Sequence, residues 1–124
     1  MGFALSSRSR SKLEGVNPDL VRVVELAIER TEDDFMVAEG VRSLERQREL
    51  VAAGRSQTMN SRHLTGHAVD LWILVNNTVN WEMPRYRKLA GIVLACADEL
   101  GVPVEWGGNW RTFKDGPHFQ LKRV

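Results

Sequence analysis

A run of β-branched and aromatic residues, Ala68 to Val75, stops at Asn76-Asn77 and resumes as Thr78 to Trp81. Asn tolerates the left-handed backbone that a two-residue turn requires, so this stretch predicts a β-hairpin. The chain therefore carries antiparallel strands at its centre. Helical signals flank them. Asn17-Pro18 supplies an N-cap and a first-turn proline, and Leu20, Val21, Val24, Ala27 and Ile28 recur at helical spacing, which predicts an amphipathic helix over 18–31. Ser43 caps a second helix over 44–53 that Gly54 stops. Pro84 opens a third, closed by Gly101 and carrying a buried Cys96. Short strands are expected at 35–38, 102–106 and 119–121, with a loop over 55–62. Residues 1–16 read as a polar leader anchored by Phe3, Leu5 and Leu13. The sum is α+β: a small antiparallel sheet with flanking helices.

Composition narrows the function. A chain of 124 residues suits one domain, and 1–124 is read as a single unit. The net charge of +1 provides no basic field for nucleic acid, so none is expected as partner. A single Cys excludes an internal disulfide and Cys-based metal clusters. The longest apolar stretch, about Leu89 to Ala97, is far short of the ~18 residues of a spanning helix. The N-terminus lacks the apolar core of a secretory signal, so synthesis in the cytoplasm is expected.

The densest polar stretch is Ser61-Arg62-His63-Leu64-Thr65-Gly66-His67-Ala68-Val69-Asp70. Gly66 argues against a helix here. His63 then sits in a loop, Gly66 at a bend and Asp70 on the following strand, facing inward between Ala68 and Trp72. A lone buried carboxylate is costly and needs a partner, and a metal ion is one such partner. His63 and His67 also make an HxxxH pair, but Leu64 stands where a zincin carries Glu. Further on, Asp115-Gly-Pro-His118 reads as a tight turn whose ends lie within about 7 Å at Cα. If His118 binds a metal, Asp115 stands beside it as a base. Two His nitrogens and one carboxylate with an open fourth position form a catalytic zinc arrangement. Each residue alone also has an ordinary reading: a surface His, a turn-forming Asp, or core residues for Trp106 and Trp110.

Taken together these stretches resemble one family. Ser61-x-His63-x-x-Gly66-x-Ala68-x-Asp70 resembles the SxHxxGxAxD signature of the zinc D-Ala-D-Ala carboxypeptidases, and Asp115-x-x-His118 resembles their second motif, (E/D)xxH. Glu39-Gly-Val-Arg42-Ser43-x-x-x-Gln47 is similar to the upstream GxRSxxxQ segment. The Trp106-Gly-Gly-x-Trp110 run looks most like the L-alanyl-D-glutamate endopeptidase branch, many of them phage endolysins. The resemblance implies a Hedgehog/DD-peptidase-like fold. It implies Zn²⁺ on His63, Asp70 and His118, with Asp115 as general base and Arg42 at the oxyanion. It places Ser61, Gln47, Trp106 and Trp110 at the substrate. Val41 stands where the family often has an aromatic residue, and His67 falls on a variable position.

The implied reaction is hydrolysis of the L-alanyl–D-glutamate bond of peptidoglycan stem peptides. The implied setting is an endolysin without a separate wall-binding domain. It would act on the wall as a monomer, after a holin-like protein permeabilises the membrane. Two alternatives follow. A D,D-carboxypeptidase or dipeptidase on the same fold needs a cation for a free carboxylate, which Arg62 or Arg111 could supply. A zinc-stabilised wall-binding module without catalysis could dispense with Asp115 and Arg42.

Overall fold

The computed structural model describes residues 2–56, 61–110 and 114–122. Its elements in chain order are α1 (Ser7–Lys12), α2 (Pro18–Arg30), β1 (Asp34–Glu39), α3 (Leu44–Ala52), β2 (Ala68–Val75), β3 (Thr78–Asn80), α4 (Met83–Leu100), β4 (Val104–Trp106) and β5 (His118–Leu121). Short 3-10 turns cover Arg62–Thr65 and Gly107–Asn109. The strands are antiparallel in the order β1-β2-β5-β4, and β3 pairs with β2 as the expected hairpin. Asn76 and Asn77 take φ of 53° and 62°, the left-handed pair that such a turn demands.

Alternation along β2 divides the molecule. Val69, Leu71 and Ile73 are buried with Phe35 and Val37 of β1 and Phe119 and Leu121 of β5. Against this face pack Leu20, Val24, Ala27 and Ile28 of α2 and Leu89, Val93, Cys96 and Ala97 of α4. Each fully buried aliphatic side chain contributes roughly 1.5–3 kcal/mol. Asp70 and Trp72 point to the opposite, partly open face, so Asp70 faces away from the main core rather than into it. Among the described residues no helix is long and apolar enough to cross a membrane.

Much of residues 2–16 packs on the domain. Leu5, Leu13 and Val16 belong to the core, whereas Phe3 is exposed. Residues 7–12 form α1, which Ser6 caps by accepting from Ser9 N–H. Its polar composition hides it from any search for apolar periodicity. Ser9 Oγ accepts the Val37 N–H at 3.0 Å, satisfying a donor on the outer edge of β1. The turn after α1 presses on the loops that carry the polar stretch. A side chain on Gly40 would overlap the Lys12 carbonyl, and one on Gly66, which has φ +77°, would meet the Gly15 carbonyl.

Candidate active site

Three adjacent strands set a polar row on the open face. Pairing places Glu39 of β1 and His118 of β5 opposite Asp70 of β2, one on each side. Glu39 reaches this level through a bulge between Val37 and Glu39, which inserts one extra residue into β1. His63 comes in from the 3-10 turn, where Ser61 Oγ caps by accepting the His63 N–H at 3.2 Å. Gly66 ends that turn with a left-handed backbone, and β2 follows directly.

His63 Nε2 and His118 Nδ1 each lie 3.2 Å from the same oxygen, Asp70 Oδ1. One ligand atom from each of the three residues lies within 4.8 Å of the others. The outer ring nitrogens fix which atoms face inward. His63 Nδ1 is 2.8 Å from the Gly40 carbonyl, which can only accept, so Nδ1 carries the proton. His118 Nε2 is 2.8 Å from Gln120 Oε1. Gln120 Nε2 in turn donates to Glu105 Oε1 at 2.7 Å, which fixes the amide and makes His118 Nε2 a donor. Two imidazole lone pairs therefore converge on a carboxylate. Three acceptors in one buried corner need a cation, and the set fits Zn²⁺: two nitrogens, one oxygen, and a hydrogen-bonded support behind each imidazole.

With no ion bound, protons are the cations that this corner can hold. Burial pushes the Asp70 carboxyl up, but hydrogen bonds to His118 and His63 and their charge outweigh it and hold it below the usual carboxylate range. Burial lowers His118, yet Asp70 dominates and raises it. Asp115 is raised, first by burial and then by the Asp70 charge. Its position comes from the expected turn: His118 N–H donates to the Asp115 carbonyl at 3.2 Å, and Asp115 N–H donates to the Gly107 carbonyl at 3.1 Å. A half-buried carboxylate raised above its ordinary pKa beside two imidazoles can take a proton from water and return it.

The chain matches, over residues 1–121, the family model described as phage L-alanyl-D-glutamate peptidase. It belongs to that family. The L-alanyl-D-glutamate peptidase of Listeria phage A118 is 41% identical over 88 residues, 71% of this chain and 30% of that protein. The enzyme of the same name from Escherichia phage T5 is 27% identical over 99% of this chain and 92% of its own length. The chain thus spans about a third of the first relative and nearly all of the second. A solved structure, the L-Ala D-Glu endopeptidase ChiX of Serratia marcescens, superposes with a TM-score of 0.88 at 54% identity, covering 94% of this chain and 87% of that one. The vancomycin-resistance D,D-dipeptidase VanXYg shares the fold, with a TM-score of 0.54 at 16% identity over 86% of this chain and 50% of its own.

Within this L-alanyl-D-glutamate peptidase fold, the expected site residues divide between the open face and the interior. Arg42 is 9% exposed, and its guanidinium forks onto Glu39, donating from Nε to Oε1 and from Nη2 to Oε2 at 2.8 Å. Nη1 donates to Gln47 Oε1 at 2.7 Å and, more weakly, to Ser61 Oγ at 3.5 Å, while Nη2 lies 3.7 Å from Asp70 Oδ2. Gln47, expected at the substrate, is 0% exposed; it holds Arg42 and donates to Ser56 Oγ at 2.9 Å. Trp106, also expected at the substrate, points inward. It is 7% exposed in the core, and its indole N–H is spent on the Gly116 carbonyl at 2.7 Å, bracing the 115–118 turn. Trp110 does reach the site, with its ring centroid 4.9 Å from that of His118. His67 stands apart, bonded to Thr65 Oγ1. Arg62 Nη2 donates to the Leu121 carbonyl and lines a separate groove with His67 and Lys122, so it does not serve a terminal carboxylate at the row. Arg111 lies outside the described residues.

Proposed function

We propose that this chain cuts the L-alanyl–D-glutamate amide of peptidoglycan stem peptides with one zinc ion held by His63, Asp70 and His118. The observation that carries the reading is the pair of imidazoles whose outer N–H groups are tied to Gly40 and Gln120, so that both lone pairs converge on Asp70. Family membership supports the bond specificity. Bound there, the ion supplies Lewis acidity to the scissile carbonyl and lowers the pKa of an attacking water.

The chain's own groups do the rest. Asp115 takes the proton of the water and delivers it to the leaving D-Glu nitrogen. Arg42 meets the charge that develops on the carbonyl oxygen. Its two contacts to Glu39 and its short bond to Gln47 fix the guanidinium plane. The N–H groups on the Ser61 and Asp70 side, at 3.5 and 3.7 Å, are the ones that can turn toward substrate. Ser61 and Trp110 border this opening.

Elemental analysis of protein purified without added metal should find about one zinc per chain. A chelator should stop wall lysis, and zinc should restore it. Mass spectrometry of digested peptidoglycan should show new D-Glu amino termini. Lysis that ignores chelators in metal-free protein overturns the zinc reading, and released D-Ala overturns the bond assignment.

A further inference from the structure

Trp72 and Trp81 form an aromatic platform beside the row that the mechanism above does not use. Trp72 follows Asp70 by two residues on the same open face of β2, ~7 Å along the strand. It lines a groove of about 530 Å³ together with Glu39, Val41 and Arg42. The β2–β3 register pairs Ile73 with Asn80, so the next positions outward are Trp72 and Trp81. Their rings meet edge to face, with centroids 5.2 Å apart and planes at 69°.

Trp81 is rigidly mounted. It stacks on Tyr86, with centroids 6.3 Å apart and planes at 12°. The buried Tyr86 hydroxyl accepts the Ile73 N–H at 3.0 Å and donates to the Asn80 carbonyl at 2.8 Å. Asn80 and Glu82 bond to each other across the backbone of Trp81, at 2.9 and 3.0 Å. Yet Trp81 is 58% exposed, more than any other large apolar side chain among the described residues. A large ring packed on two aromatic neighbours and left wet, beside a Trp72 that lines a groove with Arg42, marks a binding surface.

We propose that Trp81, with Trp72, is a saccharide platform that stacks against the C–H face of the N-acetylated sugar bearing the stem peptide. This rests on the L-alanyl–D-glutamate reading above. In that substrate a single L-Ala separates the scissile bond from the lactyl arm of the sugar. On the other side follow a carboxylate and polar, charged residues. The pyranose ring is the group near the bond with a broad, flat C–H face, and Trp72 of the platform lies ~7 Å along β2 from Asp70.

The test uses the full chain and the N-acetylglucosaminyl–N-acetylmuramic acid disaccharide without peptide, followed by NMR of the indole N–H groups. The Trp72 and Trp81 signals should shift while that of Trp106 stays. Trp81→Ala should weaken disaccharide binding roughly five- to ten-fold, and Trp81→Phe should recover part of the loss. The ratio of kcat/KM for a disaccharide-linked stem peptide over the sugar-free peptide should fall by a similar factor in Trp81→Ala. Disaccharide binding or a substrate ratio unchanged by Trp81→Ala would overturn the platform. If the wild type cuts neither substrate between L-Ala and D-Glu, the activity reading fails, and the disaccharide titration still decides the platform.

Discussion

At the scale of single residues, the roles of Asp115 and Gln120 can be separated. Asp115 touches neither outer imidazole nitrogen, so Asp115→Ala should leave zinc content intact while hydrolysis falls about 10²–10⁴-fold. Gln120 lies behind His118 and gives the opposite pattern. Gln120→Met removes the acceptor of the His118 Nε2–H, and the freed ring can turn or change tautomer. Zinc affinity should drop roughly 10–100-fold in a chelator competition, with the circular dichroism spectrum unchanged. The convergence of His63, Asp70 and His118 is legible in the sequence because local motifs carry them. The meetings of Glu39 with Asp70 and of Gln120 with Glu105 are not, because they come from strand register. Glu39 meets Asp70 through a bulge, and Gln120 meets Glu105 across the β4–β5 pairing. For Gln47 and Trp106 the motif gives the neighbourhood but not the contacts, since a motif position does not say which way a side chain faces.

At the scale of elements, the caps and the turn chemistry made most of the fold readable. Asn17-Pro18, Ser43, Asn76-Asn77 and Gly101 mark ends that the structure reproduces to within a residue or two. α1 escaped, since its six residues, Ser-Arg-Ser-Arg-Ser-Lys, have no apolar face. The 3-10 turn that presents His63 is the element most exposed to mutation. Gly66 ends it at φ +77° and lies against the Gly15 carbonyl, so Gly66→Ala imposes both backbone strain and a collision. The expected loss is about 2 kcal/mol or more in urea unfolding, accompanied by weaker zinc binding if His63 is the ligand proposed above. Stability unchanged within ~0.5 kcal/mol would show that the turn relaxes freely.

At the scale of the whole molecule, protons and the proposed zinc ion would compete for one corner of the fold. In chelator-treated protein the raised His118 contributes stability that is present below its unfolded pKa of ~6.5 and lost as pH rises through the folded value. The depressed Asp70 contributes stability present above its unfolded pKa of ~3.9 and lost as pH falls through its folded value. The stripped chain should therefore gain most from these groups in mildly acidic solution. Zinc needs the imidazoles unprotonated, so the rise in melting temperature on adding zinc should grow between about pH 6 and 8. Thermal scans with zinc or chelator at each pH measure it, and a constant increment would contradict this coupling.

Ser9 has one more consequence. β1 is an outer strand, and a bare outer strand is a template on which a second chain can add its own. By filling the Val37 donor, the short polar helix keeps the sheet from extending into a neighbour. A protease that clips the chain before Val16 would thus produce sticky molecules, and light scattering would register the damage as particle growth.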